Sequence, residues 1–190
     1  MRRFGGRGFI AAAAALGFAV AASFAAAQDA ERPDGLRQLW TDILTKAQAG
    51  DEAGVKAALE GMVLAEGDFA AIFKDEAKAK ELAAKYAEKF AKHWPNEAKT
   101  IVSKVKERKY DEVEVNEVAA DQATGNDKKV LELLKDGVKM YTVRLKKKGE
   151  KQGLRYDSFF HVSGAWKTGL KLGRLLGEPA SAEKPGGDSK

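Results

Sequence analysis

His93 and His161 are the only two histidines in the chain, and there is no cysteine. A three-histidine zinc site is therefore out of reach, and no H-E-x-x-H or comparable spacing offers a mixed one, so no metal and no other cofactor is expected. Ser163-Gly164-Ala165-Trp166-Lys167-Thr168 ends like a phosphate-binding loop. Trp166, however, stands where a glycine must precede the lysine, and His161 takes the place of another, so a tight turn here cannot wrap phosphate in backbone amides. No G-x-S-x-G elbow is present, and Ser163 beside Gly164 reads as turn chemistry. Asp157, Phe159 and His161 share one face of an extended segment. At ~3.3 Å per residue that puts Asp157 and His161 about 13 Å apart, too far for an acid–base pair. Arg155, Asp157, His161, Lys167 and Lys171 thus read as a solvated face, and no enzymatic activity is expected.

The elements that position these residues are strands. Tyr141, Val143 and Leu145 alternate with Thr142, Arg144 and Lys146, the pattern of a half-buried strand. Leu154, Tyr156, Ser158 and Phe160 repeat it after Gly153, and Trp166, Thr168, Leu170 and Leu172 repeat it after Gly164. A Gly149-Glu150 loop pairs Leu145 with Leu154 and Val143 with Tyr156. For the second hairpin, a two-residue Ser163-Gly164 loop would turn Trp166 away from Phe160. A three-residue loop, Val162-Ser163-Gly164, instead pairs Phe160 with Trp166, Ser158 with Thr168, Tyr156 with Leu170 and Leu154 with Leu172, and is the expected register. Residues 110–118, with Val113 and Val115 between Glu112, Glu114 and Asn116, supply a first strand that breaks phase at Val118.

Helices come before the sheet. Leu36, Leu39, Trp40, Ile43, Leu44 and Ala47 form an amphipathic stripe ended by Gly50. Asp51 then caps a second helix carrying Val55, Ala58, Leu59 and Met62. After Gly67-Asp68 comes a short apolar patch of Phe69, Ile72 and Phe73, and Asp75 then opens a longer helix with Ala79, Leu82, Tyr86, Phe90 and Trp94 in one ladder. Pro95 interrupts it before Ala98, Ile101, Val102 and Val105. Residues 121–127 read as a loop and 127–136 as a short helix stopped by Gly137. No segment repeats at a fixed period.

Arg2, Arg3 and Arg7, the uncharged Ala-rich run from Phe9 to Ala26 and the Ala25-Ala26-Ala27 site form an export signal over residues 1–27. An uncleaved anchor is the alternative, since the run is about long enough to span a bilayer at ~18–20 residues. Residues 28–34 read as a linker, 35–176 as one α+β domain, and 177–190 as a disordered tail. Cleavage removes three of the 33 basic residues and none of the 28 acidic ones, leaving a net charge of +2. That balance argues against a dedicated nucleic-acid binder. Lys146, Lys147, Lys148 and Lys151 make a basic hairpin tip. It reads first as a solvated turn, and alternatively as a contact for an anionic membrane or cell-wall polymer.

The order of elements is helices, one strand, then a meander through Phe159-Phe160-His161-Val162-Ser163-Gly164-Ala165-Trp166-Lys167. It resembles the nuclear transport factor 2-like superfamily and small exported bacterial proteins that end in such a hairpin. The resemblance implies N-terminal helices packed on a curved antiparallel sheet that ends in a three-stranded meander, forming a cone with an apolar pocket. Trp40, Phe69, Phe73, Tyr86, Phe90, Tyr141, Tyr156, Phe160 and Trp166 are the residues that would line it. The expected function is an exported, non-enzymatic domain binding a protein partner or an apolar ligand. A periplasmic lipid or acyl-chain carrier, similar to the phospholipid carrier of the Mla pathway, and an isomerase- or cyclase-like enzyme are the alternatives.

Overall fold

The computed structural model describes residues 33–177. The export signal, residues 28–32 of the linker and the tail from 178 onward lie outside the described residues. Helix α1 (Pro33–Ala49) starts inside the expected linker, because proline suits the first turn of a helix and Asp34 there complements the helix dipole. Gly50 ends it at φ +81°. Asp51 caps α2 (Glu52–Gly61) by accepting the Gly54 N–H at 2.8 Å.

Gly67, Asp68 and most of the apolar patch after them lie in a short helix, α3 (Glu66–Ile72). Asp68 reaches back to accept the Ala65 N–H at 2.8 Å, which steadies that start without a capping hydroxyl. Asp75 caps α4 (Glu76–Tyr86) through the Lys78 N–H. Beyond Tyr86 the expected ladder breaks: a π-helical turn over Ala87–Ala91 and a 3₁₀ turn over Trp94–Asn96 rotate the stripe before α5 (Glu97–Arg108). Tyr86 and Trp94 therefore enter different cores, and Phe90 is left only half-buried.

Four antiparallel strands follow in the order β1 (Glu112–Glu117), β2 (Tyr141–Lys146), β3 (Gly153–Val162) and β4 (Ala165–Thr168). Helix α6 (Gly125–Leu133) joins β1 to β2 and starts two residues before the expected position. The first hairpin has the expected register, Leu145 opposite Leu154 and Val143 opposite Tyr156. The second does not. Ser163 and Gly164 form a two-residue loop with both φ angles positive, at +54° and +74°, and they pair Val162 with Ala165, His161 with Trp166, Phe160 with Lys167 and Phe159 with Thr168.

The cause lies upstream. Between the pairs Val143–Tyr156 and Tyr141–Phe159, β3 carries one more residue than β2, and Ser158 takes φ +64° in this bulge. The extra residue reverses the phase of everything after it. Tyr156 and Phe159 come to one face, Phe160 goes to the other, and Phe160 and Trp166 end on opposite sides of the sheet. Strand β4 also stops at Thr168. Leu170 lies in a turn and Leu172 begins α7 (Leu172–Leu175), so the expected Tyr156–Leu170 and Leu154–Leu172 pairs do not form.

Both faces of the sheet are covered as a result. On one, α1, α2 and α5 bury Trp40, Ile43, Leu59 and Ile101 against Val143, Tyr156, Phe159 and Trp166. On the other, α3, α4, α6 and α7 bury Phe69, Leu82, Val130 and Leu175 against Phe160 and Val162. Each such side chain contributes about 1.5–3 kcal/mol when fully buried. The outer edge of β4 is closed by the Met62-Val63 segment, where Met62 O accepts the Thr168 N–H at 2.8 Å.

Candidate functional site

The nine aromatic residues expected around one pocket do not meet around one space. Trp40, Tyr141, Tyr156 and Trp166 belong to the first core, Phe69, Phe73, Tyr86 and Phe160 to the second, and Phe90 lies at the margin of the second. They interlock with one another as cores do. Trp40 stacks on Tyr156 with ring centroids 5.1 Å apart, Trp94 meets Tyr156 edge-on at 5.5 Å, and Phe69 contacts Tyr86 at 5.5 Å. The Tyr156 hydroxyl is buried with no hydrogen-bond partner among the described residues, and burial drives its pKa far upward.

A polar cleft of about 390 Å³ opens where the β3 bulge meets the first turn of α6 and the α7 segment. Three local features build it. The bulge at Ser158 sets Arg155 and Asp157 at its floor; Lys171, at φ +61°, turns the chain into α7; and Gly173 lets α7 approach Asn126 so closely that a Cβ would collide with the asparagine. Two non-glycine residues with positive φ thus flank one cleft, a pattern of local strain that clusters at functional sites.

Charge inside the cleft is unevenly matched. Arg155 holds both aspartates: its Nη2 donates to Asp127 Oδ2 at 3.2 Å, and its Nε is ion-paired with Asp157 Oδ1. Burial raises the Asp127 pKa above the ordinary aspartate value and the Asp157 charge raises it further, while Arg155 opposes both. Asp127 therefore retains its proton to higher pH than an exposed aspartate, and in that form its carboxyl donates a hydrogen bond. On the α7 side, Lys171 lies with Nζ 5.6 Å from the Phe90 ring centroid, and neither it nor Arg174 has a carboxylate partner among the described residues.

His161 is not part of this cleft. The bulge separates it from Asp157, and it sits half-buried beside Trp166, the rings 5.2 Å apart, with Nε2 lacking a protein partner. Of the face shared by Asp157, Phe159 and His161 in the sequence reading, the bulge removes Asp157, and Phe159 and His161 stay on the side of the first core, Phe159 fully buried in it. Lys167 points to the side opposite His161 and donates to Gly61 O at 2.9 Å. Of that supposed solvated face only Arg155 and Lys171 are exposed, while Asp157, His161 and Lys167 are half-buried. In the basic hairpin, Lys146 is not a free tip residue. Its ammonium is ion-paired with Glu114 and with Glu112, which leaves Lys147, Lys148 and Lys151 at the exposed turn.

Asp127 and Arg174 escaped sequence reasoning because no spacing links them. One stood at the end of an expected loop and the other beyond the last expected strand. No protein-family model, no curated protein and no solved structure matches the chain.

Proposed function

We propose that the chain is an exported, non-enzymatic binding domain that takes a small polar ligand with an anionic group in the cleft between the β3 bulge, α6 and α7. One observation carries this reading: the cleft's three cations and three carboxylates are segregated, with both aspartates held by Arg155 while Lys171 and Arg174 stand on the α7 side with no carboxylate partner among the described residues. The guanidinium of Arg174 suits bidentate contact with a carboxylate or phosphate, and Lys171 adds a point charge beside it. Glu97, which also lines the cleft, accepts from hydroxyl or amine groups of the same ligand. Export rests on the basic start, the Ala-rich run and the Ala25-Ala26-Ala27 site. An apolar ligand or lipid has less support, because the aromatic residues that would hold it are engaged with one another in two cores.

The test is an NMR titration of the purified chain with inorganic phosphate and with citrate. Amide shifts concentrated at Asn126, Asp127, Gly173 and Arg174 that disappear in Arg174→Ala are the expected result. Shifts elsewhere only, or a phospholipid retained by the protein in native mass spectrometry, would overturn the reading.

A further inference from the structure

Helix α5 ends in a run of basic residues, and the β2–β3 turn is another. The fold brings the two runs together. Asp111, just after α5, donates its N–H to Lys146 O at 3.0 Å and accepts the Lys148 N–H through Oδ1 at 2.7 Å. Arg144 Nη1 donates to Lys151 O at 3.0 Å and fixes the far side of the turn. Lys104 and Arg108 from the helix and Lys147 from the turn then line one shallow groove of about 460 Å³.

This pole of the molecule carries Lys104, Arg108, Lys109, Lys147, Lys148 and Lys151 against Glu107, Asp111 and Glu150, a surplus of three positive charges. Residues 33–177 hold 27 basic and 23 acidic residues, so most of their net charge of +4 is concentrated here. Glu107 engages Lys104 at 2.9 Å and Arg108 at 3.2 Å, and Glu150 engages Lys147 at 3.7 Å. Lys109, Lys148 and Lys151 have no carboxylate partner among the described residues, and all three are exposed.

We infer that this pole is an electrostatic docking face for an anionic phospholipid bilayer. Five of the six cations are lysines on long flexible stems, which suit a dense, diffuse charge rather than planar bidentate recognition of one group. Tyr110, the aromatic residue in the groove, is half-buried, which leaves the exposed lysines without a stacking platform for nucleic-acid bases. The cations come from a turn tip and a helix end that Asp111 holds side by side, so one surface can meet both sets. Contact of this kind is reversible, is screened over a Debye length of about 8 Å at ~0.15 M ionic strength, and gains roughly fivefold in affinity for each lysine near the surface. The inference is independent of the ligand proposed for the cleft.

Co-sedimentation of the purified chain with vesicles tests it. Vesicles of phosphatidylglycerol and phosphatidylcholine in equal parts should bind the chain at low salt and release it as salt rises. Vesicles of phosphatidylcholine alone, which control for the apolar run from Phe9 to Ala26, should bind it more weakly. Lys148→Gln and Lys151→Gln together should lower the affinity for the anionic vesicles by roughly 25-fold at low salt. Because both side chains are exposed and unpaired, the circular dichroism spectrum should be unchanged. Equal binding to both vesicle types, undiminished binding by the double variant, or tighter binding to duplex DNA than to the anionic vesicles would overturn the inference.

Discussion

The Ser163 hydroxyl donates to Asp68 Oδ1 at 2.8 Å, joining the β3–β4 turn to the first turn of α3 across 95 residues of sequence. The other carboxylate oxygen of Asp68 accepts the Ala65 N–H, so one nearly buried side chain fixes both the start of a helix and the tip of a hairpin. Removing the hydroxyl takes one donor from the nearly buried Asp68 carboxylate, although the Ser163 end of the bond lies at an exposed turn. Ser163→Ala should therefore cost about 1–3 kcal/mol in urea unfolding. Ser163 also sits at φ +54°, which glycine adopts without penalty. Ser163→Gly should thus be more stable than Ser163→Ala by about 1 kcal/mol, and equal stabilities would contradict the turn conformation.

The Tyr86 hydroxyl makes a second long-range lock. It donates to Thr168 O at 2.7 Å from a fully buried position, tying the end of α4 to the end of β4. Tyr86→Phe keeps the ring and strands the carbonyl, at a cost of about 1–3 kcal/mol near neutral pH. Burial pushes the Tyr86 pKa up from 10.0 to about 12. A folded pKa above the unfolded one means that the stabilisation is complete below pH 10 and fades as pH rises through about 12. Urea midpoints measured against pH should show wild type and Tyr86→Phe converging over that interval. Parallel curves would mean that the phenol titrates as an exposed one does.

The two hairpins explain what the sequence could and could not reveal. In the first, apolar and polar residues alternate without interruption from Tyr141 to Leu145 and from Leu154 to Tyr156, so only one register keeps the apolar set inside, and that register forms. In the second, the bulge at Asp157-Ser158 carries no glycine or proline to announce it. Phe159 and Phe160 are both fully buried, on opposite faces, so the apolar pattern after the bulge no longer says which face is inward. The single-pocket expectation failed at that residue. The cleft was hidden for a related reason: its walls are brought together by the approach of Gly173 to Asn126, which no local periodicity encodes.

Gly153 opens β3 opposite Lys146, and a Cβ there would run into the Leu145 carbonyl oxygen and lie 2.9 Å from Lys146 Cβ. The obstacle is backbone held in a ladder, which cannot move aside as a flexible side chain can. Gly153→Ala should cost about 1–3 kcal/mol and disturb the amide shifts of Leu145 and Leu154. Gly61, at the end of α2, has open space where a Cβ would go. Gly61→Ala should be stabilising by about 0.5–1 kcal/mol, so the pair of variants separates steric obstruction from a general effect of losing glycine.

Asp127 offers the most direct reading of the cleft's electrostatics. Its raised pKa has burial as the first cause and the Asp157 charge as the second, with Arg155 pulling the other way. A carboxyl whose folded pKa exceeds the unfolded one contributes its full stability below the ordinary aspartate value of about 3.9 and loses it as pH rises through the folded value. The ionised form is therefore a burden on the fold, partly relieved by Arg155. Carboxyl ¹³C titration should place the Asp127 midpoint above the ordinary range. Asp157→Asn should lower that midpoint without returning it to normal, because burial remains, and Arg155→Met should raise it. Asp127→Asn keeps an oxygen for Arg155 Nη2, so it should match or exceed wild-type stability at pH 7 by a few tenths to about 1 kcal/mol, the difference closing as the pH falls. An Asp127 that titrates normally in the wild-type protein would contradict the burial and the Asp157 repulsion assigned to it here.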